Sequence, residues 1–173
     1  MTAALLITGP VGVGKTTVAQ AVGDLLARAA VPHAVIDLDW LAASWPAPPG
    51  DRFNFELQLR NLAAVARNYL DAGAHRLVLA GVVESRADRQ RYADVLGVDL
   101  AVCRLRADLA VVERRLVGRH RDDGELRWHV ERSRELERIF DAAGVADFVV
   151  AADGEVAQVA QVAESVAGAA GWL

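Results

Sequence analysis

Cysteine is almost missing from this sequence: Cys103 stands alone among 173 residues, so no internal disulfide can close, and a reducing compartment, the cytoplasm, is the expected location. Long apolar runs are missing too. Although 53% of the residues are hydrophobic, they are Ala, Val and Leu scattered along the chain, and no stretch approaches the roughly 18 consecutive apolar residues that a membrane span needs. The N-terminal run Ala3 to Ile7 is too short for a signal-peptide core and has no basic flank, so it reads as a strand. A basic excess is absent as well. The formal net charge of −4 offers no global attraction to a nucleic-acid backbone or an anionic membrane, which leaves a small molecule as the expected partner. Lysine is the scarcest charge of all. Of 19 basic residues only Lys15 is a lysine, and one ammonium kept in a chain that otherwise uses arginine points to a task that needs a compact point charge.

What is present is an alternation of short apolar runs with longer helical periods, the pattern of strand-helix units around a parallel sheet. Five strands are expected, over Ala4 to Thr8, Ala34 to Leu38, Arg76 to Val83, Leu100 to Leu105 and Asp147 to Ala151. Their continuous apolarity suits strands buried on both faces. Helices are expected from about Gly14 to Ala30, from Phe53 to Ala72 with Gly73 as C-cap, from Arg86 to Leu96, and from Asp153 onward. Ser85 and Asp88 have the spacing of a capping box before the third of these. No repeat or linker divides the chain, so residues 1–173 are expected to form one domain. Two segments break the rhythm: Trp40 to Arg52, with three prolines and two tryptophans, and Arg104 to Arg138, with ten arginines.

After the first strand the chain reads Gly9-Pro10-Val11-Gly12-Val13-Gly14-Lys15-Thr16-Thr17, which fits G-x-x-x-x-G-K-[ST] at every defined position. Glycines there let backbone N–H groups close around phosphate oxygens, and the following helix adds its positive N-terminal end. Lys15 is then placed for the β- and γ-phosphates of ATP and the Thr16 hydroxyl for Mg²⁺. The spacing is not the G-x-G-x-x-G of a dinucleotide fold.

The second strand ends Asp37-Leu38-Asp39, and a period of two would set both carboxylates on one side of its C-terminal end, the edge where open parallel sheets bind ligands. Asp39 is the candidate to orient and deprotonate an incoming hydroxyl, and Asp37 a candidate for substrate or for Mg²⁺. The third strand ends Val82-Val83-Glu84-Ser85 without the aspartate of a Walker B strand, which argues against a motor ATPase. Glu84 reads equally as an acidic site group or as part of a helix cap. In the arginine-rich stretch, the polar break His120 to Glu125 suggests a helix-loop-helix lid. Most of its arginines should form surface ion pairs with the neighbouring acids, and Arg115, Arg119 and Arg121 are the candidates to reach the nucleotide, Arg119 as a catalytic group.

Taken together, these features resemble the small P-loop kinases, the group of adenylyl-sulfate kinase, shikimate and gluconate kinases and chloramphenicol phosphotransferase. Asp37-Leu38-Asp39 is similar to the D-x-D at the end of strand two in several of them, which implies that Asp39 positions or deprotonates the acceptor hydroxyl. Leu59-Arg60-Asn61-Leu62, Val65-Ala66, Asp71-Ala72-Gly73 and Ser85-Arg86-Ala87-Asp88-Arg89-Gln90 look most like adenylyl-sulfate kinase, and that likeness implies that Arg60 contacts the acceptor. The resemblance also implies a three-layer α/β P-loop fold, with a five-stranded parallel sheet in the order 2-3-1-4-5 and a helical lid within residues 104–138. The sequence departs from that family in its Pro-rich turn after strand two and in having no lysine-bearing lid.

The expected function is transfer of the γ-phosphoryl group of Mg-ATP to a hydroxyl of a small molecule, with Trp45 beside Arg60 at the acceptor. A nucleotide-dependent regulatory module with slow hydrolysis is the alternative. Polynucleotide-end processing is disfavoured by the acidic balance.

Overall fold

The architecture grows outward from β1 (Ala3–Thr8), whose residues from Ala4 to Thr8 are completely buried. In a computed structural model that describes residues 2–118, 123–153 and 158–172, β1 is the middle of five parallel strands. Its neighbours are β3 (Arg76–Ala80) and β4 (Asp99–Arg106), with Leu5 opposite Val78 on one side and Ala101 on the other. The edges are β2 (His33–Asp37) and β5 (Phe148–Ala151), which gives the order 2-3-1-4-5 that the resemblance implies.

Alternation along β1 divides the core in two. Leu5 and Ile7 pack with Val18, Val22 and Leu26 of α1 (Lys15–Arg28) and Val166 of α7 (Val159–Ala169). Ala4 and Leu6 face the opposite layer. There they meet Leu59 and Leu62 of α3 (Phe55–Asp71), Tyr92 and Leu96 of α4 (Arg86–Leu96), and Leu136 and Phe140 of α6 (Asp123–Ala143). Helices on both faces of a parallel sheet are what continuously apolar strands require.

The capping box before α4 forms as the spacing predicts: Ser85 Oγ accepts from the Asp88 backbone N–H at 3.0 Å and donates to Asp88 Oδ2 at 2.7 Å. The sequence starts the last helix at Asp153, but Asp153 is not helical and α7 is described from Val159; residues 154–157 lie outside the described residues. The arginine-rich stretch begins inside the sheet. Arg104 is a buried β4 residue, paired with Glu137 at 2.5 Å and Asp141 at 2.7 Å, with its guanidinium 5.3 Å from the Phe140 ring centre. A buried guanidinium is tolerable only with such partners, and these tie α6 to the sheet. In the chain, α5 (Leu109–Val117) comes between β4 and α6, and Arg134 bridges α6 to Glu113 of α5 at 2.5 Å, one of the ion pairs expected there.

Two departures concern the C-terminal edge of the sheet. Sequence extends the second strand to Leu38 and the third to Val83. Instead the chain turns at Asp37 into a one-turn helix, α2 (Leu38–Leu41), and β3 stops at Ala80. The apolar runs were read as strand, but the turn buries Leu38 completely and sets it over Gly81. A Cβ on Gly81 would stand 2.5 Å from Leu38 Cδ1 and 2.9 Å from its Cβ. We therefore expect Gly81→Ala to destabilise the fold by about 1–3 kcal/mol in denaturant unfolding, the usual cost of overpacking. An unchanged midpoint would show that Leu38 can give way.

Candidate active site

The loop between β1 and α1 turns through glycines in conformations that side chains resist. Gly12 has φ 83°, and a Cβ there would stand 2.9 Å from Leu116 Cγ. Gly14, at φ 104°, caps α1 so that the helix begins at Lys15. Lys15 Nζ donates to the carbonyl oxygens of Gly9 and Pro10, both at 3.1 Å, which holds the ammonium across the loop. Arg115 braces the same loop, donating to Val13 O at 3.1 Å and to Ala152 O at 3.0 Å. The sequence assigns Arg115 to the nucleotide. Its guanidinium lines the cleft, and these bonds also stitch the loop to the chain just beyond β5.

Asp37 joins the loop to the acidic pair. Its Oδ2 accepts from Thr16 Oγ1 at 2.8 Å, and its Oδ1 accepts from the Asp39 backbone N–H at 2.9 Å, capping α2. Asp39 thus reaches the site from a helix turn and not from the strand. The two carboxylates nevertheless line one cleft. The walls around Asp39 raise its pKa above the ordinary 3.8, the main cause being burial; Asp37 adds to the rise and Lys15 opposes it. Thr16 Oγ1 and the Asp37 carboxylate are hard oxygen donors side by side, a donor set that suits Mg²⁺. Among the described residues no group of three or more His, Cys, Asp or Glu is placed to hold a metal.

A single helical turn is unstable alone. Here three amides on one face of the α3 region pin α2 and the chain after it. Asn54 donates to Ala42 O at 2.7 Å and Ser44 O at 3.1 Å, Gln58 to Leu38 O at 2.9 Å, and Asn61 to Leu41 O at 2.8 Å. Tyr92 completes the support by donating to Gln58 Oε1 at 2.5 Å. Burial pushes the Tyr92 pKa up, so it remains a protonated donor. Phe53 and Asn54 both adopt left-handed backbone (φ 59° and 56°), strain of the kind that gathers at functional sites. That turn sets the Phe53 ring against the Arg132 guanidinium, 5.0 Å from the ring centre. Arg132 also pairs with Glu84 and, at 2.6 Å, with Glu135.

These elements enclose a cleft of about 950 Å³. It brings together Val11 to Thr17, Asp37, Asp39, Glu84 and Arg115, while Gly9 and Pro10 contribute the carbonyls that hold Lys15. Glu84 caps no helix; it is the partner of Arg132. Two expected acceptor residues do not join the cleft. Arg60 lies two residues beyond Gln58, about 200° around the helix, and lines a shallow groove between α3 and α4 with Glu56 and Arg91. Trp45 is 93% exposed, carried outward by the Pro-rich turn. Arg119 and Arg121 lie outside the described residues. Sequence reasoning missed Trp40, Phe53, Gln58, Tyr92, Trp128 and Arg132, all of which line the cleft. Their only signal is spacing: Arg132 and Leu136 follow Trp128 and His129 at helical intervals on one face of α6.

No protein-family model matches the chain, and no curated protein matches it in sequence. Solved structures do match in shape. The tunicamycin resistance protein of Deinococcus radiodurans superposes with a TM-score of 0.67 at 21% identity, covering 100% of this chain and 98% of that one. Shikimate kinase from Bacteroides thetaiotaomicron gives 0.66 at 19% identity, with 98% of each chain covered. The APS kinase of Mycobacterium tuberculosis, solved with AMPPNP and APS, gives 0.61 at 20% identity, with 96% of each covered. The fold is that of the small P-loop kinases. At these identities the likeness is one of fold, and the chemistry rests on this chain's own residues.

If the α3 amides hold α2, Gln58→Leu removes the donor to Leu38 O and leaves the Tyr92 hydroxyl only the longer bond to Val82 O, at 3.3 Å. We expect a loss of about 1–3 kcal/mol of stability, with hydrogen-exchange protection falling in α2 and persisting in α3. Unchanged protection in α2 would show that packing of Leu38 suffices.

Proposed function

We propose that this P-loop kinase fold transfers the γ-phosphoryl group of Mg-ATP to a hydroxyl of a small molecule. The observation that carries this reading is that Lys15, Thr16, Asp37 and Asp39 line one cleft, with Asp37 bonded both to the Thr16 hydroxyl and to the Asp39 backbone N–H. The loop from Gly9 to Thr17 takes the phosphates. Thr16 and Asp37 would hold Mg²⁺, which when bound neutralises charge on the phosphate oxygens. Lys15 stabilises the charge that develops on the transferring group. Asp39 accepts the proton of the attacking hydroxyl as its oxygen bonds to the γ-phosphorus and the bond to the bridging oxygen breaks, releasing ADP.

A raised pKa suits that role, because a more basic carboxylate accepts a proton more readily at neutral pH. Arg119 and Arg121, which lie outside the described residues, are the further arginines that the sequence offers for the phosphates, Arg119 as a catalytic group. The cleft extends well past the loop, giving room for an acceptor that a hydrolytic switch would not need. Among the described residues no helix is long and apolar enough to cross a membrane. The lone thiol, Cys103, is buried with its pKa pushed up to about 12, which suits a structural residue in a reducing compartment such as the cytoplasm.

Lys15→Ala is expected to abolish turnover and greatly weaken Mg-ATP binding measured by calorimetry. Lys15→Arg should fail as well, since a planar fork cannot occupy the same point. Near-normal turnover in either variant would remove Lys15 from the site.

Asp39→Asn should lower kcat by about 10²- to 10⁴-fold while ATP affinity changes little. Its effect on stability has the opposite sign. Because the folded state raises the Asp39 pKa, it binds more protons than the unfolded chain just above the ordinary value, and stability falls as pH rises through that window. The variant should therefore be as stable as the parent at neutral pH, or more so. A less stable variant with unchanged kcat would mark Asp39 as a structural acid.

A further inference from the structure

Beyond the nucleotide loop, the cleft is walled by aromatic side chains that remain open to solvent: Trp40 is 80% exposed, Phe53 50% and Trp128 50%. Apolar groups of that size, left uncovered around a concave site, offer flat surfaces for a ligand to stack on. The charges on the same walls are unbalanced. Asp39 and Asp88 supply carboxylates, whereas the arginine on that side, Arg132, is paired with Glu84 and Glu135 and lies against Phe53. Its side chain is only 9% exposed. Among the described residues the other lysine or arginine side chains lining the cleft, Lys15 and Arg115, are bonded to the nucleotide loop itself. His129, the remaining basic group, lies 3.8 Å from Glu125.

Among the described residues, an acceptor bearing a phosphate, sulfate or carboxylate would have to pull Arg132 from its partners or sit uncompensated beside Asp39. Arg60, which the sequence offers as an acceptor-binding cation, belongs to the groove between α3 and α4.

We propose that the acceptor is an uncharged or cationic alcohol with a flat, apolar body, and that the site discriminates against anionic acceptors. This rests on the phosphotransferase reading for the transfer itself but on the cleft walls alone for the ligand class. The aromatic faces hold the body of the acceptor. The carboxylates favour a neutral or ammonium-bearing head, whose hydroxyl points to Asp39.

Three probes share a phenylpropyl skeleton with a hydroxyl and differ in charge: phenylalaninol is cationic, phenylpropanol neutral and phenyllactate anionic. Their binding to the full chain with ADP and Mg²⁺ can be ranked by ligand-observed NMR competition. We expect phenylalaninol and phenylpropanol to bind at least about ten-fold more tightly than phenyllactate. Trp128→Ala, a change at a half-exposed helix position, should weaken both. Glu84→Gln should narrow the gap by releasing Arg132 toward the anion. Equal or tighter binding of phenyllactate, or no binding by any probe, would overturn the proposal. If the ranking holds but no alcohol is phosphorylated when Mg-ATP replaces ADP, the ligand class stands and the phosphotransferase reading fails.

Discussion

One carboxylate joins the two halves of this site. Asp37 takes the hydroxyl of Thr16 on one oxygen and the backbone N–H of Asp39 on the other, so the first turn of α1 and the single turn of α2 share an anchor. Thr16 belongs to the loop that would grip the nucleotide, and Asp39 is the proposed base. Their separation is therefore set by a rigid, charge-assisted pair of hydrogen bonds and not by long side chains. The parallel sheet supports this by ending β1 and β2 at the same edge, with β3 between them. Leu38, packed against Gly81, and the amides of Asn54, Gln58 and Asn61 then keep α2 from drifting.

The same logic explains what could be read in the sequence. A phosphate loop is local: its glycines, lysine and threonine are consecutive, and the backbone shape they demand is written in nine residues. The Ser85 box and the apolar strands are local too, and each appears where its spacing points. The D-x-D was legible as a pair facing the site, but not as a strand end and a helix turn. A period of two in an apolar run looks the same until Leu38 finds its place over Gly81. Gln58, Tyr92 and Arg132 were illegible because their meaning depends on partners 20 to 48 residues away. Arg60 shows the reverse error, in which a residue carried over from a resemblance falls on the wrong face of its helix.

Arginine has different tasks at different depths of this fold. Arg104 is buried and fixes α6 to the sheet; Arg115 holds the loop between β1 and α1; Arg132 is locked between two glutamates and an aromatic ring on the cleft wall. In each case the planar fork serves two partners at once, which lysine could not do as well. The one task left to lysine is the point charge of the loop. Pairing Arg132 with Glu84 and Glu135 is also what leaves its charge balanced on the cleft wall, beside the ring of Phe53.

The account turns on where the γ-phosphoryl group goes. The protein can be incubated with Mg-ATP and a pool of neutral and amino alcohols in heavy-oxygen water, and the products followed by phosphorus NMR. Transfer to an acceptor should yield a phosphomonoester free of solvent oxygen, in an amount that collapses when Asp39 is replaced by asparagine. Production of inorganic phosphate labelled from water, with no ester formed and no dependence on Asp39, would contradict it.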